Sequence, residues 1–247
     1  MCKYTAKYYN YDKKRSLIYK CPLPSLRERG EGNSDYCAIH DPEYWKKHQD
    51  ETAQILRSII RQAKEELKSA LLIGVNVPGS KIKEILGREV KIPIYLNRAK
   101  IYGVADLSSI KFTKHAGFAR ASFGDDADFS GVRFKDYADF FRANFEGYVD
   151  FSRASFGGYA NFTGASFRGE VSFTGASFGG NANFFRASFR DDVSFTRASF
   201  RGEVSFTGAS FGGNANFTGA SFKRWGDFRY VCLLYTSDAA DDGESVD

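Results

Sequence analysis

The chain contains no apolar run approaching the 18 or more residues that would cross a membrane. Its N-terminus, MCKYTAKYYNYDKKRS, lacks an apolar h-region, so no secretory signal is expected. The expected compartment is the cytoplasm, where thiols stay reduced. Charge of one sign is also lacking: 35 Lys and Arg against 30 Asp and Glu leave a net +5, spread over 247 residues rather than clustered. No Walker or Rossmann glycine pattern occurs. Histidine is scarce, and neither His48 nor His115 stands beside a nucleophile. Acidic residues recur as surface decoration, not as an isolated pair. These absences exclude the common catalytic constellations, and an enzyme is not expected.

What the chain has in excess is phenylalanine at fixed intervals. From Phe112 to Phe228 the rings recur at alternating steps of five and six residues, and the register extends upstream through Leu107, Ile101 and Leu96. Of these 25 apolar centres, 22 are Phe. The unit is eleven residues, roughly A-S-F-x-G-x-A-N-F-x-x, and such a short unbroken period marks a solenoid. It matches neither the helical period nor the strand period of two. Two residues before each centre stands a small or β-branched residue (Ala121, Ala127, Val132, Ala138, Ala143, Val149, Ala154). In an extended segment both point to one side, and the Ser, Asn or Asp between them points outward.

This pattern resembles the pentapeptide-repeat family, in its Phe-centred form F-x-G-A-x-F, over about residues 94–230. The resemblance implies an all-β solenoid, a right-handed quadrilateral β-helix in which each block forms one side of a square coil. Two units would make a 22-residue coil, giving about six coils and a rod about 29 Å long at the interstrand spacing of ~4.8 Å. The sixth residue in every second block departs from the family pattern, and predicts a wider corner or bulge on two opposite sides. Some members of the family mimic DNA and bind type II topoisomerases, which requires an acidic rod. Residues 94–230 carry 17 Lys and Arg against 13 Asp and Glu, so the charge disfavours that role.

Stacking at a 22-residue offset predicts columns. Arg98, Arg120, Arg142 and Arg186 share a corner, interrupted by Gly164 and Gly208. Asp106, Asp128 and Asp150 share a face, continued by Ser172, Ser194 and Asn216. An anion-binding edge beside a weak cation-binding face is one reading; a rod surface kept soluble by its charges is the preferred one.

Ahead of the ladder, residues 1–40 hold Cys2, Cys21, Cys37 and His40, spaced C-x18-C-x15-C-x2-H. Three thiols and an imidazole are a donor set for tetrahedral Zn2+, and the C-A-I-H end places two ligands on one turn. The first two spacings match no common finger. The segment is short, with little core of its own, which is where a metal staple is needed. A structural zinc is therefore expected on these four residues, with no position left for catalytic water; the alternative is a set of reduced thiols and a surface His. The stretch Y-C-A-I-H-D-P-E-Y-W-K resembles the Cys/His leader found before some pentapeptide-repeat domains.

Residues 41–93 read as a helix and a cap. Asp41-Pro42 suits an N-cap followed by the first helical position. Ile55, Ile59, Ile60, Ala63, Leu67, Ala70 and Leu71 form an apolar stripe, expected to pack on the mouth of the β-helix in preference to a second helix. Leu71–Val77 reads as a strand ended by Pro78-Gly79, Ser80–Leu86 as a short helix closed by Gly87, and 71–93 as a cap over the first coil's open edge. Within the ladder, residues 168–184 and 201–217 are identical, so the duplicating unit is eleven residues. Beyond the ladder, residues 231–247 have no Phe register. The run C-L-L-Y-T-S-D-A-A-D resembles a translated sequencing-library adapter of the kind left in metagenomic gene sequences, and is expected not to be native.

Functionally, the expectation is a non-enzymatic scaffold or protein–protein interaction module with an unknown protein partner. Nucleic-acid association through the Cys/His module, with Lys3, Lys7, Lys13, Lys14 and Arg15, is the weaker alternative, and topoisomerase binding the weakest.

Overall fold

The structure is a computed structural model that describes residues 1–10, 13–29 and 34–233. It opens with an antiparallel hairpin, β1 (Thr5–Asn10) and β2 (Arg15–Lys20), in which Thr5 faces Lys20. Short helices α1 (Leu26–Arg29) and α2 (Tyr44–Lys47) lead to the long helix α3 (Gln49–Glu65). The described residues after it form a four-sided parallel β-solenoid of about seven turns.

Each side of the coil is a two-residue strand, such as Asn144–Phe145, paired in parallel with its equivalents 22 residues away at Ser122–Phe123 and Ser166–Phe167. Four parallel sheets of eight, eight, six and seven strands result. The inward residues pack as the alternation demands. Phe rings one coil apart stack nearly parallel, as with Phe145 and Phe167 at 4.9 Å between centroids and 2° between planes. Rings on adjoining sides meet edge to face, as with Phe151 and Phe162 at 5.6 Å and 83°. Both arrangements suit the aromatic quadrupole, and the rings from Phe112 to Phe206 are fully buried.

The alternating steps of five and six are two kinds of corner. Five-residue steps close by a four-residue turn, with Ala121 N–H donating to the Phe118 carbonyl at 2.9 Å. Its third position is left-handed: φ is 60° at Arg98, 58° at Arg120, 51° at Arg142 and 53° at Arg186. Six-residue steps make the wider corners, on the diagonal opposite. There backbones of successive coils nearly touch: a Cβ on Gly158 would lie 2.6 Å from the carbonyl carbon of Asp136. The wide corners lie where the extra residue places them.

The outward Asp and Ser columns serve the tight corners. The Asp128 carboxylate accepts the Ser130 N–H at 2.7 Å and Asp150 accepts that of Ser152 at 2.7 Å. Ser172 takes the same role for Thr174 at 3.3 Å. These side chains satisfy backbone donors that the turn would otherwise leave open.

The coiling begins earlier than residue 94. β3 (Ala70–Leu71) pairs with Ile94–Tyr95, β4 (Asn76–Pro78) with Lys100–Tyr102, and β5 (Glu89–Val90) with Lys111–Phe112. The segment 71–93, expected as a cap, is thus itself the first coil. The expected strand Leu71–Val77 is broken by a corner at Gly74, whose φ is +68°. On the remaining side a 3-10 turn and helix α4 (Ile82–Leu86) replace a strand, and Gly87 closes the helix with φ +72°.

Helix α3 packs over β3, β4 and α4 and covers this end of the rod. It buries Thr52, Ala53, Leu56, Ile60 and Ala63, while Ile55 and Ile59 are half-buried. Leu67 lies past the helix, exposed, with φ 52°. Asp41 accepts N–H groups of Glu43 and Tyr44 at 2.9 and 2.8 Å, but across a turn: the helix begins at Tyr44 with Glu43 at its N-cap, two residues later than expected. The helical segment breaks at His48, where φ −128° and ψ 46° separate α2 from α3. At the far end Cys232–Leu233 pairs with Ser210–Phe211. The rest of the adapter-like tail, 234–247, lies outside the described residues.

Candidate metal centre

Two pieces of local structure bring the four ligand candidates together. The hairpin sets Cys2 and Cys21 side by side at its open end, which explains the long first spacing. Cys2 N–H donates to the Leu23 carbonyl at 2.9 Å and Cys21 N–H to that of Tyr4 at 3.1 Å. Cys37 and His40 lie on one turn, closed by His40 N–H and Asp41 N–H to the Cys37 carbonyl, both 2.9 Å.

The ligand atoms all lie within 4.8 Å of one another. The Cys21 and Cys37 sulfurs are 3.6 Å apart, Cys37 Sγ is 3.2 Å from His40 Nδ1, and Cys2 Sγ is 3.7 Å from the same nitrogen. A disulfide needs sulfurs ~2.05 Å apart, so all three thiols are free. All four residues are at most 7% exposed. The cluster is a possible metal site, buried on every side.

Its surroundings orient it. His40 Nε2–H donates to the Ile73 carbonyl at 2.9 Å, which leaves Nδ1 with its lone pair toward the sulfurs. The Tyr4 ring stacks on the imidazole at 4.1 Å and 10°. Tyr4 in turn fills the space left by Gly74, where a Cβ would overlap its phenol. Cys37 N–H donates to Cys2 Sγ at 3.3 Å. The thiol acidities diverge: a hydrogen bond from Cys37 pulls Cys21 down to about 4, while Cys37, as that bond's donor and buried, is pushed up. Burial also raises Cys2 and Tyr4.

Tyr4, Ile73 and Gly74 carry no sequence signal of their own: a Tyr in a Tyr-rich segment and a Gly in an apolar run are unremarkable until the fold brings them to His40. The two other histidines stand apart from the cluster. His48 stacks on Tyr44 at 4.1 Å. His115 is buried between Tyr95 and Tyr137, at 4.8 and 5.2 Å, and burial lowers its pKa to about 3. The fourth cysteine, Cys232, is exposed at the opposite end of the rod.

A family model for pentapeptide repeats (9 copies) matches residues 96–144, 140–188 and 184–231, more than half of the chain. The chain belongs to the pentapeptide-repeat family. No curated protein and no solved structure matches it. As a pentapeptide-repeat protein it has the solid interior that its period implies, filled by ring stacks from coil to coil. Among the described residues, no helix is long and apolar enough to cross a membrane.

Proposed function

We propose that this pentapeptide-repeat protein is a non-enzymatic scaffold whose rod presents its faces to a protein partner, and that Cys2, Cys21, Cys37 and His40 bind a structural Zn2+ that staples the N-terminal hairpin to the first coil. The donor geometry carries the zinc reading. Zinc–sulfur bonds of ~2.3 Å at tetrahedral angles place sulfurs ~3.8 Å apart, and Cys21 and Cys37 are 3.6 Å apart. Four protein donors fill the coordination sphere and leave no place for the water that catalytic zinc requires. Zinc would draw the remaining thiols into the thiolate form.

Metal analysis of full-length protein kept reduced tests this: one zinc per chain is expected, and a stoichiometry near zero overturns it. The scaffold reading is tested by locating a bound protein partner. A partner retained after chelation and lost on substitution of rod-surface residues supports binding by the rod; one lost on chelation alone assigns binding to the hairpin module. Nucleic-acid association through that module, with Lys3, Lys7, Lys13, Lys14 and Arg15, is the weaker reading, because Lys3 is already paired with Asp35 at 2.6 Å. Arg27 joins the same carboxylate at 3.2 Å.

A further inference from the structure

A groove of about 420 Å³ lies where the N-terminal hairpin meets a tight corner of the rod. Lys7 and Tyr8 form its hairpin wall; Asn97, Arg98, Arg120 and Phe141 line the rod side. Three features give it its character. First, Lys7, Arg98 and Arg120 converge on it, and none pairs with a carboxylate among the described residues. Arg98 and Arg120 are equivalent residues of successive coils, so their backbones sit about one interstrand spacing, ~4.8 Å, apart.

Second, both arginines hold left-handed backbone, φ 60° and 58°, where a side chain costs roughly 1–2 kcal/mol. The same column uses Gly164 and Gly208 at φ 62° and 65°, and Arg142 and Arg186 at 51° and 53°, so the corner accepts arginine but does not need it. Third, Asn97 is 5% exposed, and its Oδ1 is buried without a hydrogen-bond partner among the described residues. An unmet buried acceptor is costly unless something supplies a donor.

We propose that this groove binds a small phosphate monoester of mononucleotide size. The dianionic phosphate sits between Lys7, Arg98 and Arg120, where guanidinium groups offer paired N–H donors. The body of the ligand reaches inward to the Asn97 carboxamide. An adenine edge, with its N6 amino donor beside the N7 acceptor, matches a carboxamide in two hydrogen bonds. A volume of 420 Å³ is in the range of small-ligand sites. The buried Asp139 below the groove does not oppose the phosphate at the rim. It is engaged with the Phe141 N–H and Asn161 Nδ2 at 3.0 and 2.9 Å.

The test is calorimetric titration of the full-length protein with AMP, inorganic phosphate and GMP in separate runs. AMP is expected to bind saturably, with phosphate alone and GMP each about tenfold weaker or worse, a difference of ~1.4 kcal/mol. Arg98→Gly combined with Arg120→Gly adopts a residue this column already accepts, so the rod stays folded while AMP affinity falls at least about tenfold. Arg153→Gly makes the same change on the opposite corner, φ 57°, and is expected to leave AMP binding unaltered. Absence of saturable binding at ~5 mM AMP, in a range where Kd of 1 mM is only −4.1 kcal/mol, overturns the proposal. So does equal affinity for phosphate and AMP, or an unchanged affinity in the Arg98→Gly, Arg120→Gly variant.

Discussion

Phe167 sits between the rings of Phe145 and Phe189, each 4.9 Å away, with Phe162 and Phe173 at 6.4 Å on the adjoining sides. Truncating it leaves a cavity that flanking coils cannot close, because their backbones are held by ladder bonds above and below. Phe167→Ala should cost about 3–5 kcal/mol, read as a drop in chemical-denaturation midpoint. Phe222 has the same sequence context but is 39% exposed at the end of the rod. Phe222→Ala should cost less than about 2 kcal/mol, since much of its area is already in water; equal losses at the two sites would contradict the stack. His115 offers a pH-dependent counterpart. Its folded pKa, about 3, lies below the ordinary value because burial disfavours the cation. Its contribution is therefore intact above about pH 6.5 and is lost as pH falls toward 3, at ~1.4 kcal/mol per unit. His115→Gln should flatten that part of the acid limb. An identical slope between pH 6 and 4 in the two proteins would show that His115 does not stay neutral.

The elements differ in how openly the sequence declares them. The coils from Leu96 onward are legible because Phe, which has no other reason to recur every five or six residues, fills 22 of the 25 large inward positions. The first coil is not, since Leu72, Val77 and Val90 take those positions and α4 replaces one side, so no period survives. The break at His48 is not signalled either: it falls in the polar run 46–51, ahead of the apolar stripe, with no Gly or Pro to mark it. The candidate ligand set is readable from residue types and the C-A-I-H turn, but its support is not. That support depends on Gly74, whose φ of +68° and missing Cβ admit Tyr4 against His40. Gly74→Ala adds left-handed strain of roughly 1–2 kcal/mol and displaces the Tyr4 ring. If His40 is a ligand, losing this outer contact should weaken zinc about 10–100-fold, measured by competition with a chromogenic chelator. Unaltered affinity would separate the corner from the metal.

At the scale of the whole molecule, two kinds of cohesion meet at Ile73. The rod is held by nearest-neighbour stacking, so each coil answers mainly to the next. The hairpin has a small core of Cys2, Tyr8, Tyr19 and Cys21 and joins the rod through His40, the Tyr4–Gly74 contact, and Asn76, whose N–H donates to the Ile39 carbonyl at 2.8 Å. If zinc supplies the hairpin's missing stability, chelation should act locally and fade along the rod. Hydrogen exchange on reduced protein with and without chelator would show this. Amides of residues 2–8, 16–23 and 36–41 should lose protection, those of 70–78 should loosen through the Ile73 carbonyl, and those of 144–211 should be unchanged. The hydrogen bonds of those distal coils, such as Ser166 N–H to the Ala143 carbonyl at 2.9 Å, reach no farther than the neighbouring coil. Uniform loss of protection out to Phe211 would mean that the metal nucleates the entire solenoid. No loss near residues 2–8 would mean that the hairpin holds itself together without it.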